Sequence, residues 1–413
     1  MKTGPYNIIV SLKPRRAAKR LYGKSLVRNG ASSFMKKLVL SCILILPVIA
    51  AGINATCLRQ TRHGAADPYW NDVSRYLAGL EIGESSVLLP LTKEPRYKEH
   101  VRFMNDLWSM IQKETIDLIV PWRQEHIPSM KRSSVALYPL SGADFINLYA
   151  MFPDARTYLM IALEQPGEVE ALRDYGSQRL IDGLMPIHRS IYMFGVNNYF
   201  QTKVMYREMN NTLLPGISPV LLIFMARLGL TIRQVENITL GESGSIAPHA
   251  EAPAAEHPGR RISGVRIRFT GQGVSRPREL VYLSMRLEAN SVDPSTPEGR
   301  FLNSLHNVRT MLKSAVYILQ TRRYEPLRDF ILQRSRLIVQ DDSGIAYGAF
   351  DEKWDVKLFG TYWPYLQLGG CSVVVQNDLL QSYRKESRPL PFNFGYGIIL
   401  GRGKSNLLVA KKK

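Results

Sequence analysis

Cysteine is scarce in this chain, with Cys42, Cys57 and Cys371 the only three among 413 residues. No C-x-x-C pair or Cys/His cluster occurs, so the ligand spacing of a zinc site is missing and no bound metal is expected. Complete phosphate-binding motifs are missing too. Gly401-Arg402-Gly403-Lys404-Ser405 has Ile398 where a phosphate loop needs its earlier glycine. Gly241-Glu242-Ser243-Gly244-Ser245 ends in serine where a nucleophile elbow needs glycine. No cofactor is therefore expected. Acidic residues are absent from residues 1–37, which hold ten Lys or Arg. Long apolar runs are absent except for the uncharged Leu38–Ala55.

Those last two features adjoin. A basic lead, an apolar run and a small-residue end at Ala55 have the layout of a secretory signal. The segment from Met35 is a compact signal by itself, which predicts Met35 as the true start, residues 1–34 as an upstream extension and 35–55 as the signal peptide. An uncleaved inner-membrane anchor is the alternative, although Pro47 interrupts a run of 18 residues at the short end for a bilayer span. Membrane contact is expected only through this segment, and only if it is retained. Cleavage leaves residues 56–413 and lowers the net charge from +19 to +9. Much of the basicity is then targeting sequence, and a nucleic-acid partner is not expected. In an oxidising compartment Cys57 and Cys371 could form a disulfide, or they could be unrelated thiols.

The mature chain reads as a single α/β domain with a mixed, mostly parallel Rossmann-like sheet flanked by helices. Val135–Leu140 is a short apolar strand, Ser141-Gly142 a turn, and Phe145, Leu148, Tyr149 and Phe152 share a helical face. Asp144 falls in the first turn of that helix, where a carboxylate is favoured. Thr157–Leu163 is a second apolar strand, which completes a parallel βαβ unit. Periodicity predicts helices over 67–80 and 100–119, the latter ended by Pro121 and Pro128. It also predicts mostly helix over 168–228, a strand over 231–240, and helices over 298–320 and 326–336. Residues 241–260, rich in Ala, Pro, Gly and Glu, read as a flexible insertion. Gly264–Thr270 and Glu279–Leu287 read as an antiparallel strand pair. Leu337–Gln340 and Asn406–Ala410 read as further strands.

Open α/β sheets bind ligands where their strands end. This makes Ser141, Gly142 and Asp144 after the first strand, and Glu164 after the second, candidate ligand contacts. Asp341-Asp342-Ser343, with Tyr347, follow another strand. Adjacent carboxylates there could bind a cation, orient a sugar hydroxyl or supply a base, or could simply cap a turn. The nearby Phe350, Trp354, Phe359, Tyr362, Trp363 and Tyr365 suit either carbohydrate stacking or a packed core.

The strand–turn–helix–strand layout ending on Glu164 resembles the start of a Rossmann-type methyltransferase domain. The phrases YPLSGAD, FPDARTYLMIALEQPG, LIVQDDSGIAY, LFGTYWPY and PLPFNFGYGIILGRGKSNLLVA resemble a family of exported bacterial proteins that has no assigned activity. Together these features predict a periplasmic or secreted envelope protein that binds a small polar or glycan ligand without catalysis. A hydrolase using Asp341 or Asp342 is the alternative, as is a methyltransferase-like enzyme if the chain stays in the cytoplasm.

Overall fold

The computed structural model describes residues 67–129, 134–168, 177–200, 214–251, 262–271, 274–364, 375–400 and 404–413. Residues 1–34, the expected signal at 35–55, Cys57, Cys371 and the second half of the 241–260 segment lie outside them. All the described residues belong to one unit within Ala55–Lys413. Among the described residues no helix is long and apolar enough to cross a membrane.

This unit opens with α1 (Pro68–Leu77), α2 (Pro95–Ile111) and α3 (Asp117–His126). A π-helical turn, Gln112–Ile116, joins the last two. Pro121 lies inside α3 rather than ending it. Next comes β1 (Val135–Pro139), α4 (Phe145–Met151) and β2 (Thr157–Ala162). Helices α5 (Ser177–Asp182), α6 (Leu184–Asn197) and α7 (Ser218–Arg227) follow. Pro219 opens α7 instead of breaking it, since proline is tolerated in a first turn whose amides have no helical partner.

Strands β3 (Thr231–Leu240), β4 (Ile246–Pro248), β5 (Ile262–Gly271) and β6 (Val274–Ser284) come next. They are followed by α8 (Pro297–Asn303), β7 (Val308–Leu312), α9 (Glu325–Arg334) and β8 (Ser335–Gln340). The chain closes with β9 (Trp354–Gly360), α10 (Asn377–Glu386) and β10 (Asn406–Lys412).

The ten strands form one sheet in the order β4-β3-β5-β6-β2-β1-β7-β8-β10-β9. The expected mostly parallel sheet is not what forms. Its middle, β6-β2-β1-β7-β8, is parallel, but every other pairing is antiparallel. The reason lies in the connections: hairpins build the β3–β6 side, and β10 returns between β8 and β9. Residues 241–251 depart from the expected flexible insertion, because Ile246–Pro248 pairs with the end of β3. The Gly241–Ser245 stretch is simply the turn of that hairpin, with the Gly241 N–H on the Ser245 carbonyl.

The largest correction is β7. The expected helix over 298–320 stops at Asn303, and Val308–Leu312 becomes a central strand with all five residues buried. Arg309 and Thr310 resemble an outer helix face in sequence. In the sheet Arg309 reaches Asp154 and the Thr310 hydroxyl meets Ser335 Oγ at 2.7 Å, which satisfies their polar atoms in part.

Two apolar layers cover the sheet. Helix α4 packs with Tyr138, Tyr158 and Met160 on one face, and α9 packs with Leu137, Leu159 and Ile161 on the other. The chain thus winds outward from the middle in both directions. From β1 it passes through α4 to β2 on one side, and from β7 through α9 to β8 on the other. The adjacent strands β1 and β7 are therefore the switch point, where an open α/β sheet leaves a crevice beyond its strand ends.

Candidate functional site at the switch point

The loops after β1, β7 and β8 converge beyond the switch point. Asp144 acts as the N-cap of α4, its Oδ1 accepting from the Asn147 N–H at 3.1 Å and Asn147 Nδ2 at 2.8 Å. Its Oδ2 pairs with Lys313 Nζ and accepts from the Tyr138 hydroxyl at 3.3 Å. The ion pair is buried, with side-chain exposures of 0% for Lys313 and 2% for Asp144. Burial pushes the Lys313 ammonium pKa down, opposed by Asp144 and then Asp341. The Phe194 and Phe394 rings flank the ammonium at 5.5 and 5.9 Å. Asn147 extends the network to Asn198, which donates onward to the Asn393 carbonyl.

Asp341 lies at the centre of the second half of the cluster. Backbone amides of Ser314, Ser343 and Tyr396, and the Ser343 hydroxyl, all donate to its carboxyl group. Asp342 points elsewhere, accepting from Asn406 Nδ2 at 2.7 Å and from the Tyr317 hydroxyl at 2.9 Å. Burial, then the charge of Asp342, pushes the Asp341 carboxyl up to about 7. Burial also raises Asp342. Burial first, then Asp342, pushes the Tyr317 hydroxyl upward.

The loop after β7 owes its shape to these bonds. Ser314, Val316 and Tyr317 all have positive φ, at 55°, 57° and 58°. That conformation turns the 314, 315 and 317 amides onto Asp341, Ser343 Oγ and the Ser343 carbonyl. Leu140, after β1, also has positive φ, at 62°. Each such residue costs on the order of 1–3 kcal/mol, and a β-branched one such as Val316 is a pronounced outlier. Strain of this kind gathers at sites whose surroundings over-determine the backbone.

The remaining sequence candidates are placed less centrally. Ser141 turns its hydroxyl onto the Gly142 carbonyl at 3.1 Å, and its amide bonds the Ile161 carbonyl. Gly142 has φ +54°, and a Cβ there would lie 3.2 Å from Phe200. Both residues shape the turn. Half-buried Tyr347 joins through its N–H to Gln376, whose amide donates to the Asp342 carbonyl. Glu164 sits one strand over, only 5% exposed, and neither carboxylate oxygen has a hydrogen-bond partner among the described residues. The Tyr282 hydroxyl beside it donates to the Glu164 carbonyl at 2.6 Å. Among the described residues no hydrogen bond joins Glu164 to Asp341.

Lys313, Tyr138, Tyr317, Tyr396 and Asn406 do not stand out as site residues in the sequence. The one signal available is the Ser304–Asn307 break between α8 and β7, where Asn307 takes positive φ. The rings of Tyr199, Tyr317 and Tyr396 cluster beside Asp341, with Tyr199–Tyr396 centroids 5.1 Å apart. By contrast, the cleft that Asp341 and Asp342 share with Tyr383 and Leu408 encloses no space for a water molecule. No protein-family model, curated protein or solved structure matches the chain.

Proposed function

We propose that this is an exported envelope protein that binds a small polar or glycan ligand without catalysis, at the switch point of its sheet. The observation that carries this reading is the convergence there of strained loops on a buried Lys313–Asp144 pair, with tyrosine rings alongside. Ligand crevices of open α/β sheets lie at this position. Tyrosine faces with fixed polar groups suit a sugar ring. The basic lead and apolar run ending at Ala55 support export.

The test is isothermal titration with glucose and N-acetylglucosamine. The wild type should show saturable binding to at least one, and Tyr396→Ala should abolish it. No binding of either sugar, or binding unchanged in the variant, would refute the reading. Export is tested by intact mass and cell fractionation, with a periplasmic species starting at Thr56 expected.

A hydrolase using Asp341 or Asp342 is the second reading, favoured by the upward-shifted Asp341 carboxyl. Against it, all four oxygens of the pair already accept hydrogen bonds. A methyltransferase-like enzyme is supported by the β1–α4–β2 unit. It needs a cytoplasmic donor, and Phe200 packs against the turn at Gly142 where such a donor would lie.

A further inference from the structure

A pocket of about 330 Å³ lies between the chain leaving β9 and helix α10. We infer that it binds an acidic sugar ring, stacked on Trp363 and held through its carboxylate by Arg384. This inference does not rest on the crevice reading, because the pocket's charges and platform are different residues.

The volume falls within the range of small-molecule sites, roughly 300–1,000 Å³. Thr361, Tyr362 and Trp363 form one wall, and Tyr383, Arg384 and Ser387 the other. Both walls are anchored. The Gly360 and Thr361 amides bond the Arg388 and Ser405 carbonyls at 2.7 and 2.9 Å. Gly360 has φ +84°, and a Cβ there would stand 2.1 Å from the Ser405 carbonyl oxygen. Only glycine fits so close an approach. The Tyr383 hydroxyl is used on the Leu407 carbonyl, and the Tyr362 hydroxyl accepts from the Gln376 N–H. Their rings are thus fixed as pocket wall.

Trp363 is 40% exposed, an unusual state for so large an apolar ring. Lys404 Nζ stands 4.9 Å from its ring centroid. Arg384 makes no ion pair among the described residues, and no carboxylate is among the pocket's described lining residues. An indole face, the hydroxyl-bearing Thr361 and Ser387, and a guanidinium without an ion pair among the described residues match the apolar face, hydroxyls and carboxylate of a uronic acid. A neutral sugar would leave both cations without a counter-charge.

The experiment titrates the protein with D-glucuronate, D-glucose and inorganic phosphate. It uses the wild type, Arg384→Gln and Trp363→Ala, with circular dichroism confirming that each is folded. Both substituted side chains are exposed, so folding should survive. Saturable glucuronate binding is expected, weakened tenfold or more by Arg384→Gln and lost in Trp363→Ala. It should persist when Lys313 and Asp144 are both replaced, which separates it from the crevice. Glucuronate binding that is absent, unaffected by either pocket variant, or lost with the Lys313 and Asp144 replacements would overturn the inference. Equal affinity for glucose, or equal competition by phosphate, would also overturn it.

Discussion

Charge is buried in two ways in this sheet. On the antiparallel side, Arg266 lies opposite Glu236 across β5 and β3, and Arg268 lies opposite Glu279 across β5 and β6. Arg266 and Glu236 bond at 3.2 Å, with Glu236 still 17% exposed. At the switch point, Asp144, Lys313 and Asp341 come from three separate loops and are almost wholly buried. Strand register brings the first set together, so it follows from pairing and stabilises pairing. Nothing in strand pairing requires the second set. Burying an ion pair seldom stabilises more than an apolar replacement would, so its presence at a sheet's switch point favours a binding role.

The largest expected effect breaks the switch-point pair. Lys313→Met or Asp144→Asn alone leaves an uncompensated buried charge and should cost about 3–5 kcal/mol in urea unfolding. The Lys313→Met/Asp144→Asn double replacement, which keeps an acceptor for the Asn147 amide, should recover most of that loss. Additive losses would mean that the two charges are not coupled.

The next effect is on pH dependence. The folded-state Asp341 pKa is raised to about 7, above its ordinary value of 3.8. The folded state therefore binds more protons than the unfolded state between those values, and the Asp341 contribution to stability is lost as pH rises from about 4 through about 7. Asp341→Asn should flatten that fall in unfolding free energy. The His100–His188 contact works in the opposite sense. Burial lowers these pKa values to about 3 and about 4, so their contribution is lost as pH drops below about 6.5. His188→Gln should reduce the loss below about pH 6.5 without changing the Asp341-linked fall between about pH 4 and about 7.

Smaller effects sharpen the contrast. Val316 is 43% exposed and strained, so Val316→Gly should raise stability by about 1 kcal/mol. Glu236→Gln on the antiparallel side should cost about 1 kcal/mol or less, as a cross-strand pair does.

Much of the local structure is legible in the sequence. Strands β1, β2, β3 and β8 are apolar or alternating runs closed by turn residues. The Asp144 cap of α4 follows from its place after Ser141-Gly142, and the Asn147 amide bonds it as such a cap requires. Strand β7 is not legible, because Arg309, Thr310 and Lys313 look like a solvated helix face until Asp154, Ser335 and Asp144 answer them. Sheet direction departs from expectation for a related reason. Strand order is set by long connections, not by period. Asp341 and Asp342 stand out as candidates, but their partners at Ser314, Tyr396 and Asn406 come from distant loops that no spacing rule connects.

The decisive measurement compares wild type with the Lys313→Met/Asp144→Asn variant in one experiment, following glucose and N-acetylglucosamine binding together with urea unfolding. Saturable binding by the wild type is expected, with a variant of near wild-type stability that no longer binds. A stable variant that binds as well as the wild type would contradict a binding role for the pair.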